Sequence, residues 1–197
     1  MANNKNSQEI KFHKPNIRFV LPIENFHVPK KLYSQFKKNK YEYKINNDFL
    51  KVIKLCQQVK RKDKETWINN IIVDSYYELF KIHICKSVEC YENNKLIGGL
   101  YGVHLGSCFF GESMFSLKTN ASKFCLLYLI SILKKNLFTL LDSQFYNPHL
   151  LQFGGYELNK EEYLKLLKIG VMKKRKFDEV SDFQEILSLI QSTNHRS

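Results

Sequence analysis

The spacing of apolar residues changes along the chain, and the changes predict the order of helices and strands. Apolar residues recur at the helical period over residues 49–59, where Asp48 supplies a typical N-cap, and again over residues 68–80. From Lys86 the period becomes two, which predicts an antiparallel meander with a hairpin turn at residues 92–95. Residues 121 to about 135 are apolar on almost every side and predict a buried helix capped by Asn120.

Shorter segments complete the pattern. Strands are predicted at residues 18–21 and 137–142, a helix from Val28 onward, and a short strand followed by a helix over 156–169. This order predicts an α+β protein with a mixed, largely antiparallel sheet flanked by helices. We expect a disordered N-terminus over 1–14, one domain over 15–169, and a basic C-terminal tail over 170–197 with one loosely attached helix.

The glycine-rich stretch from Gly98 to Lys123 is the most unusual part of the chain. Glycine weakens a strand unless backbone or ligand must approach closely, and the stretch holds a single carboxylate, Glu112. It is either a kinked hairpin in an ordinary core or a ligand cleft between splayed strands with Glu112 at its mouth. Asp142 ends an apolar run, so it either caps the next turn or is a paired, functional carboxylate.

Composition narrows the function classes. The 197 residues carry a formal net charge of +12, which points to a polyanionic partner or to a source proteome rich in lysine and asparagine. Most cations are lysines, which suit phosphate contacts better than base recognition. The lysines of the predicted helix over 30–40 form either a phosphate-facing patch or a solvated face. Trp67 is either a core anchor or a surface on which a base stacks.

Several site types are excluded by the motifs. Five scattered cysteines without C-x-x-C spacing argue against disulfides and a zinc site, and indicate a reducing cytosol. The apolar run over 124–133 is too short to span a bilayer, and no signal-peptide core is present. The residues around Ser113 lack the second glycine of a nucleophile elbow, and neither a Rossmann turn nor a P-loop occurs. No metal is expected.

With these residues identified, the chain resembles the leucyl/phenylalanyl-tRNA–protein transferase family. The resemblance covers roughly residues 15–168, and its blocks occur in family order. The matching blocks are F-H-V-P-K-K-L (26–32), T-W-I (66–68), S-V-E (87–89), L-I-G-G-L-Y-G-V (96–103), F-F-G-E-S-M-F-S (109–116), N-A-S-K (120–123) and L-D-S-Q (141–144).

The resemblance implies a fold, a reaction and partners. The fold is expected to be GNAT-like, as in acetyltransferases. The reaction moves Leu or Phe, with Met as a further candidate, from aminoacyl-tRNA to the α-amine of proteins that begin with Arg or Lys, and so marks them for N-degron degradation. No cofactor is needed because the tRNA ester is already activated. A cytoplasmic monomer with no membrane association is expected.

The resemblance also implies roles for individual residues. Asp142 and Gln144 correspond to a relay that helps to deprotonate the attacking amine, and Glu112 to a carboxylate that holds an amino group. The resemblance assigns contact with the terminal adenosine and formation of the cleft to Trp67, Gly111 and Ser113. It assigns binding of the tRNA acceptor stem to Lys30, Lys37 and Lys38. The aminoacyl side chain is expected in an apolar pocket formed by Leu100, Phe109, Leu126, Leu129, Leu133 and Leu141.

One departure from the family pattern leaves an alternative open. The family commonly has an extra small N-terminal domain and a W-W-S-P-x-P-R segment, where this chain has only residues 14–18 and neither tryptophan. The chain is therefore expected to be an N-terminally shortened member. The alternative to an active enzyme is an impaired binding module for tRNA or N-degrons, and a weaker one is acylation of another amine.

Overall fold

The computed structural model describes residues 1–2, 9–38, 41–59 and 66–191, and these residues form one mixed α/β structure. The predicted charged loop over 60–64 and Lys40 lie outside the described residues. The strands are β1 (Ile17–Leu21), β2 (Glu42–Ile45), β3 (Cys85–Glu92), β4 (Lys95–Leu105), β5 (Cys108–Ser116), β6 (Leu140–Asp142) and β7 (Tyr156–Asn159). The helices are α1 (Lys30–Lys38), α2 (Phe49–Gln58), α3 (Asn70–Lys81), α4 (Ala121–Lys135), α5 (Pro148–Leu151), α6 (Lys160–Val171) and α7 (Phe183–Gln191).

One sheet of seven strands runs through the described part of the chain in the order β2-β3-β4-β5-β6-β1-β7. Every neighbouring pair is antiparallel except β5 and β6, which run parallel. The predicted mixed and largely antiparallel sheet flanked by helices is confirmed. The GNAT-like assignment stays a prediction.

The sheet has a core on each face. The larger core lies beneath α4, whose burial on nearly every side follows from its continuous apolar sequence. The second core lies beneath α2 and α3, whose apolar stripes face the sheet. A smaller cluster joins β1, β5 and β6 to Tyr163 of α6.

Local signals explain the element boundaries only in part. Asp48 caps α2 as predicted, accepting a hydrogen bond from the backbone of Lys51 at 3.3 Å. The turn between β3 and β4 uses Asn93 and Asn94, both in the left-handed region that hairpin turns favour. Asn120 is the N-cap residue of α4 as predicted, but its side chain makes no capping bond. The Oγ of Ser116 accepts the N–H of Ser122 at 2.8 Å instead.

The strand predicted over 137–142 is shorter than expected. α4 ends in a turn in which Leu137, at φ 57°, takes the position that glycine favours. The N–H of Leu137 donates to Lys134 and that of Phe138 to Leu133, at 3.1 and 2.9 Å. Because this turn consumes the first residues, β6 contains only three.

Two further elements differ from the sequence pattern. β2 was not predicted, since its four residues alternate too briefly to be distinguished from a loop. α7 is present but is not loosely attached: Ile186, Leu187 and Ile190 are buried in the α4 core, and Lys134 donates to the carbonyl of Leu189 at 2.9 Å. The proposed division of the chain at residues 14 and 169 stays a prediction.

Candidate functional site

A cavity opens where β5 and β6 separate. The parallel pairing ends at Phe110 and Asp142, after which β6 stops and β5 continues to Ser116. The cavity of about 340 Å³ lies in the range typical of small-molecule sites. It is lined by five of the six predicted pocket residues, namely Leu100, Phe109, Leu126, Leu129 and Leu141. The sixth, Leu133, does not line it; this residue of α4 is buried in the larger core.

Glu112 is placed in the cavity by a β-bulge. Tyr101 pairs with Ser113 and Gly102 pairs with Gly111, so Glu112 is the extra residue on β5. Phe109 and Phe115 would share a face of a regular strand, yet they lie in opposite cores, as an extra residue requires. The cleft interpretation of the glycine-rich stretch therefore has a structural basis, since the bulge and the strand separation coincide.

The carboxylate of Glu112 is held by two donors from different elements. The side-chain amide of Gln144 donates to Oε2 at 2.7 Å, and the hydroxyl of Tyr76 on α3 also bonds to it. Gln144 lies just beyond β6 in the left-handed region, at φ 72°, and its amide also donates to the carbonyl of Gly111 at 3.1 Å. Burial raises the pKa of Glu112, and the hydrogen bonds from Gln144 and Tyr76 offset part of that effect.

Asp142 is fully buried and both of its carboxylate oxygens are engaged. Oδ1 accepts the backbone N–H of Gln144 at 2.7 Å. Oδ2 accepts from the guanidinium of Arg18 on β1, whose Nε lies 3.1 Å away, and from the hydroxyl of Tyr163 on α6 at 2.6 Å. The Arg18 guanidinium also lies 5.2 Å from the centre of the Tyr163 ring. Asp142 is thus a paired carboxylate that fixes the loop carrying Gln144.

Sequence reasoning assigned no role in this cluster to Arg18, Tyr76 or Tyr163. Arg18 had a detectable signal, because it is one of few arginines and its strand was predicted. Tyr76 and Tyr163 looked like ordinary inward positions of amphipathic helices. Only the tertiary structure brings them onto carboxylates distant in sequence.

A second cavity of about 380 Å³ lies on the other side of Glu112 and Gln144. Trp67 and Phe145 line it, together with Arg18 and the segment containing His13. Trp67 is half-buried, which leaves part of its ring accessible. The residues predicted to contact the adenosine and to form the cleft therefore lie in different cavities. Gly111 and Ser113 line the first cavity, and Trp67 lines the second. Glu112 lines both.

The predicted tRNA-binding lysines share one exposed helix. Lys30, Lys37 and Lys38 are exposed on α1, while Leu32 and Phe36 are buried beneath it. Phe36 packs on Phe124 of α4 with ring centres 5.6 Å apart. This packing fixes the basic face beside the N-terminus of α4, close to where β5 ends.

Other site types find little support in the described residues. Within them, no group of three His, Cys, Asp or Glu side chains comes together as metal ligands would. The same residues include no helix long and apolar enough to cross a membrane. The arrangement consists of an apolar cavity, a half-buried carboxylate at its mouth and an aromatic cavity beyond it. Such an arrangement suits a ligand that has an apolar group, an amine and a flat ring.

Two solved structures show weak likeness to the chain. A functionally unknown conserved protein from Staphylococcus epidermidis ATCC 12228 has 10% identity and a TM-score of 0.44, with 73% of this chain and 57% of that one covered. L-PGS from Bacillus licheniformis has 13% identity and a TM-score of 0.44, with 88% and 59% covered. The chain thus spans under two thirds of either protein, and scores this low carry no argument about fold.

The comparison with protein families shows the family to which the chain belongs. The family described as leucyl/phenylalanyl-tRNA protein transferase matches residues 20–168, which include the bulge at Glu112, Asp142 and Gln144. The matched region covers most of the chain and agrees with the resemblance found in the motif blocks. The chain belongs to the leucyl/phenylalanyl-tRNA–protein transferase family.

Proposed function

We propose that this protein is an aminoacyltransferase that moves Leu or Phe, and to some extent Met, from aminoacyl-tRNA to the N-terminal amine of proteins beginning with Arg or Lys. The observation that carries the proposal is the hydrogen-bonded pair of Glu112 and Gln144, which lies between an apolar cavity and an aromatic one. The products are marked for degradation through an N-degron pathway in the cytoplasm. The protein acts as a monomer and needs no cofactor.

The first cavity takes the aminoacyl side chain. Its lining of leucines and Phe109 is apolar, and we infer that it admits side chains with an unbranched β-carbon, as in Leu, Phe and Met. Apolar fit discriminates by about 1–3 kcal/mol per methylene, so closely related side chains should be transferred at reduced rates. Leu133 does not line this cavity and is not assigned a contact with the side chain.

Glu112 holds the amino group of the bound aminoacyl ester. Its carboxylate stands at the mouth of the first cavity, and its raised pKa matches a group that exchanges protons with an amine more readily than an exposed carboxyl does. Attack by the acceptor amine forms the new C–N bond and breaks the ester C–O bond. The ribose hydroxyl of the tRNA leaves and takes up a proton, and the attacking amine loses one.

The role of Asp142 is positioning. Because Arg18, Tyr163 and the backbone of Gln144 already engage its oxygens, it has little capacity to accept the proton of the attacking amine. It holds the Gln144 loop, and the amide oxygen of Gln144 then orients the attacking amine. Of the two residues of the predicted relay, we therefore assign contact with the substrate to Gln144.

The tRNA occupies the remaining surfaces. The terminal adenosine stacks on Trp67 in the second cavity, with Gly111 and Ser113 on the path of the ester between the cavities. The phosphates of the acceptor stem lie against Lys30, Lys37 and Lys38. The basic residue at the N-terminus of the acceptor protein approaches Glu112, which is the acidic end of the site.

The deciding experiment measures transfer of radiolabelled Phe from Phe-tRNA to a protein starting with Arg, beside the same protein starting with Met. We expect label on the Arg protein alone. Transfer to neither protein, with Phe-tRNA still bound, would contradict the enzyme proposal and favour a binding module. Equal transfer to both would refute the acceptor rule while leaving the reaction intact.

A further inference from the structure

The hydroxyl of Tyr101 is buried without a protein partner. Among the described residues it is the buried side-chain polar atom that lacks a hydrogen bond, and the residue is inaccessible to solvent. Leaving a buried hydroxyl unpaired is unfavourable, and such atoms in native proteins require a specific explanation. Phenylalanine would fill the same space without that cost.

The position of Tyr101 connects it with the catalytic cluster. Tyr101 pairs across the sheet with Ser113, the residue after the bulged Glu112, and both Tyr101 and Glu112 line the 340 Å³ cavity. Its ring meets that of Tyr76 edge to face, with centres 5.4 Å apart, and Tyr76 is itself bonded to Glu112. Burial raises the pKa of Tyr101 most, and the Cys56 thiol on α2 and then the charge of the Glu112 carboxylate raise it further.

We propose that Tyr101 is a positioning residue whose hydroxyl is bonded to a buried water molecule, which donates to Glu112 and fixes its carboxylate for the substrate amine. The inference rests on the proposed function. Buried waters typically make about three hydrogen bonds to polar groups that otherwise lack partners. Here the Tyr101 hydroxyl lacks a protein partner, and the Tyr76 hydroxyl and the Glu112 carboxylate, although bonded to each other, can each take part in one more hydrogen bond. The adjoining cavity has room for water.

The charged and titratable groups around Glu112 set the expected pH effect. They are Arg18 on β1, Tyr76 on α3, Cys85 on β3, Tyr101 on β4, Asp142 on β6, and Lys11 and His13 of the N-terminal segment that lines the second cavity. A water that donates to the carboxylate stabilises its ionised form. Loss of this donor raises the pKa of Glu112. As the pH falls, Glu112 is then protonated at a higher pH than in the wild type, and it stops holding the substrate ammonium at that higher pH.

Tyr101→Phe tests the inference, with Tyr128→Phe as the matched control. Tyr128 is equally buried, but its hydroxyl donates to the carbonyl of Val180 at 3.1 Å and lies in the other core. We expect the Tyr101→Phe protein to bind Phe-tRNA as the wild type does and to transfer Phe about tenfold or more slowly near neutral pH. The acid limb of its pH profile should move to a higher pH. Tyr128→Phe should lower the melting temperature and leave the pH profile unchanged.

A crystal structure of the wild-type protein at high resolution gives a measurement independent of activity and of the variant's folding. It should show a water within hydrogen-bond distance of the Tyr101 hydroxyl and of Glu112. A dry hydroxyl, or an unchanged pH profile in a Tyr101→Phe protein that still transfers, would overturn the inference alone. Failure of the wild-type protein to transfer Phe would instead refute the proposed function.

Discussion

At the scale of single residues, the site depends on which carboxylate is free to act. Asp142 is saturated by Arg18, Tyr163 and a backbone N–H, whereas Glu112 is held by an amide and a phenol at the junction of two cavities. A saturated, buried carboxylate fixes structure, and a half-buried one with a raised pKa can exchange its partners with a substrate. We therefore expect the two acids to have separate roles.

Gln144→Glu should distinguish the role of Glu112 from that of Asp142, because it should change how Phe transfer depends on pH. The new carboxylate would face Glu112, and like charges raise the pKa of Glu112 further. Since Glu112 must be ionised to hold an ammonium, transfer of Phe should fall by roughly 10² near neutral pH and recover as the pH rises. The control is Gln58→Glu at the exposed end of α2. A pH profile equal to that of the wild type would contradict the role of this pair.

Asp142→Asn should reduce both stability and transfer. Removing the charge leaves Arg18 without its partner in a site where the carboxylate is inaccessible, and breaking such a pair typically costs about 3–5 kcal/mol. We expect urea unfolding at a correspondingly lower midpoint and Phe transfer reduced by about 10². Binding of Phe-tRNA, measured well below the melting temperature, should be kept.

The matched control for this variant is Asp74→Asn, which alters an exposed aspartate on α3. It should leave unfolding and transfer unchanged. If Asp142→Asn transferred Phe like the wild type, Asp142 would have no part in the reaction, not even through Gln144.

At the scale of elements, the glycines of β4 serve packing more than ligand access. A Cβ on Gly98 would lie 2.5 Å from the Cβ of Ala121, and one on Gly102 would lie 2.3 Å from the carbonyl oxygen of Phe110. The first approach sets how closely α4 lies on the sheet, and the second keeps β4 and β5 together next to the bulge. Gly111 lies at the cleft, yet a Cβ there would meet only the carbonyl oxygen of Asp142 at 3.5 Å.

Gly102→Ala should therefore destabilise the fold, and Gly111→Ala should not. Overpacking of this kind typically costs about 1–3 kcal/mol, whereas a tolerated substitution stays within about 0.5 kcal/mol. The measurement is denaturant unfolding of the two variants beside the wild type. Equal stability of both variants would show that close packing at Gly102 is not the reason for glycine there.

Three helices, α2, α4 and α7, illustrate what local sequence could and could not predict. α2 was predictable from its cap and its apolar period. The end of α4 was not, because a leucine stands where glycine normally ends a helix, and only the packed turn enforces that conformation. The attachment of α7 also depended on a partner surface distant in sequence.

At the scale of the whole molecule, the charge of +12 is spread over separate surfaces. α1 presents its lysines beside the N-terminus of α4. Lys173 and Lys174 follow α6 beside the turn at Gly106, at the opposite end of β5 from the open cleft. If the proposed function is right, we expect a tRNA whose 3′ end enters the cleft to contact the lysines of α1 rather than Lys173 and Lys174.

Lys37→Ala with Lys38→Ala should weaken tRNA binding and reduce its dependence on salt. Removing one lysine–phosphate interaction lowers the slope of log affinity against log salt by about 0.7–0.9, so the double variant should lower it by at most about two such steps. Lys173→Ala with Lys174→Ala removes the same charge and serves as the control. Equal effects of the two double variants would show that net charge, rather than the α1 surface, governs binding.

The sequence by itself determined the helices with strong periods, the meander, the net positive charge and the two candidate acids, because these depend on local pattern and composition. Only the tertiary structure decided which groups hold each acid. The bulge that places Glu112, the strand separation that opens the cavity, and the approach of Tyr76, Arg18 and Tyr163 all depend on interactions between distant segments. A local pattern does not encode such interactions, because their energies arise only when the packed sheet brings those segments together.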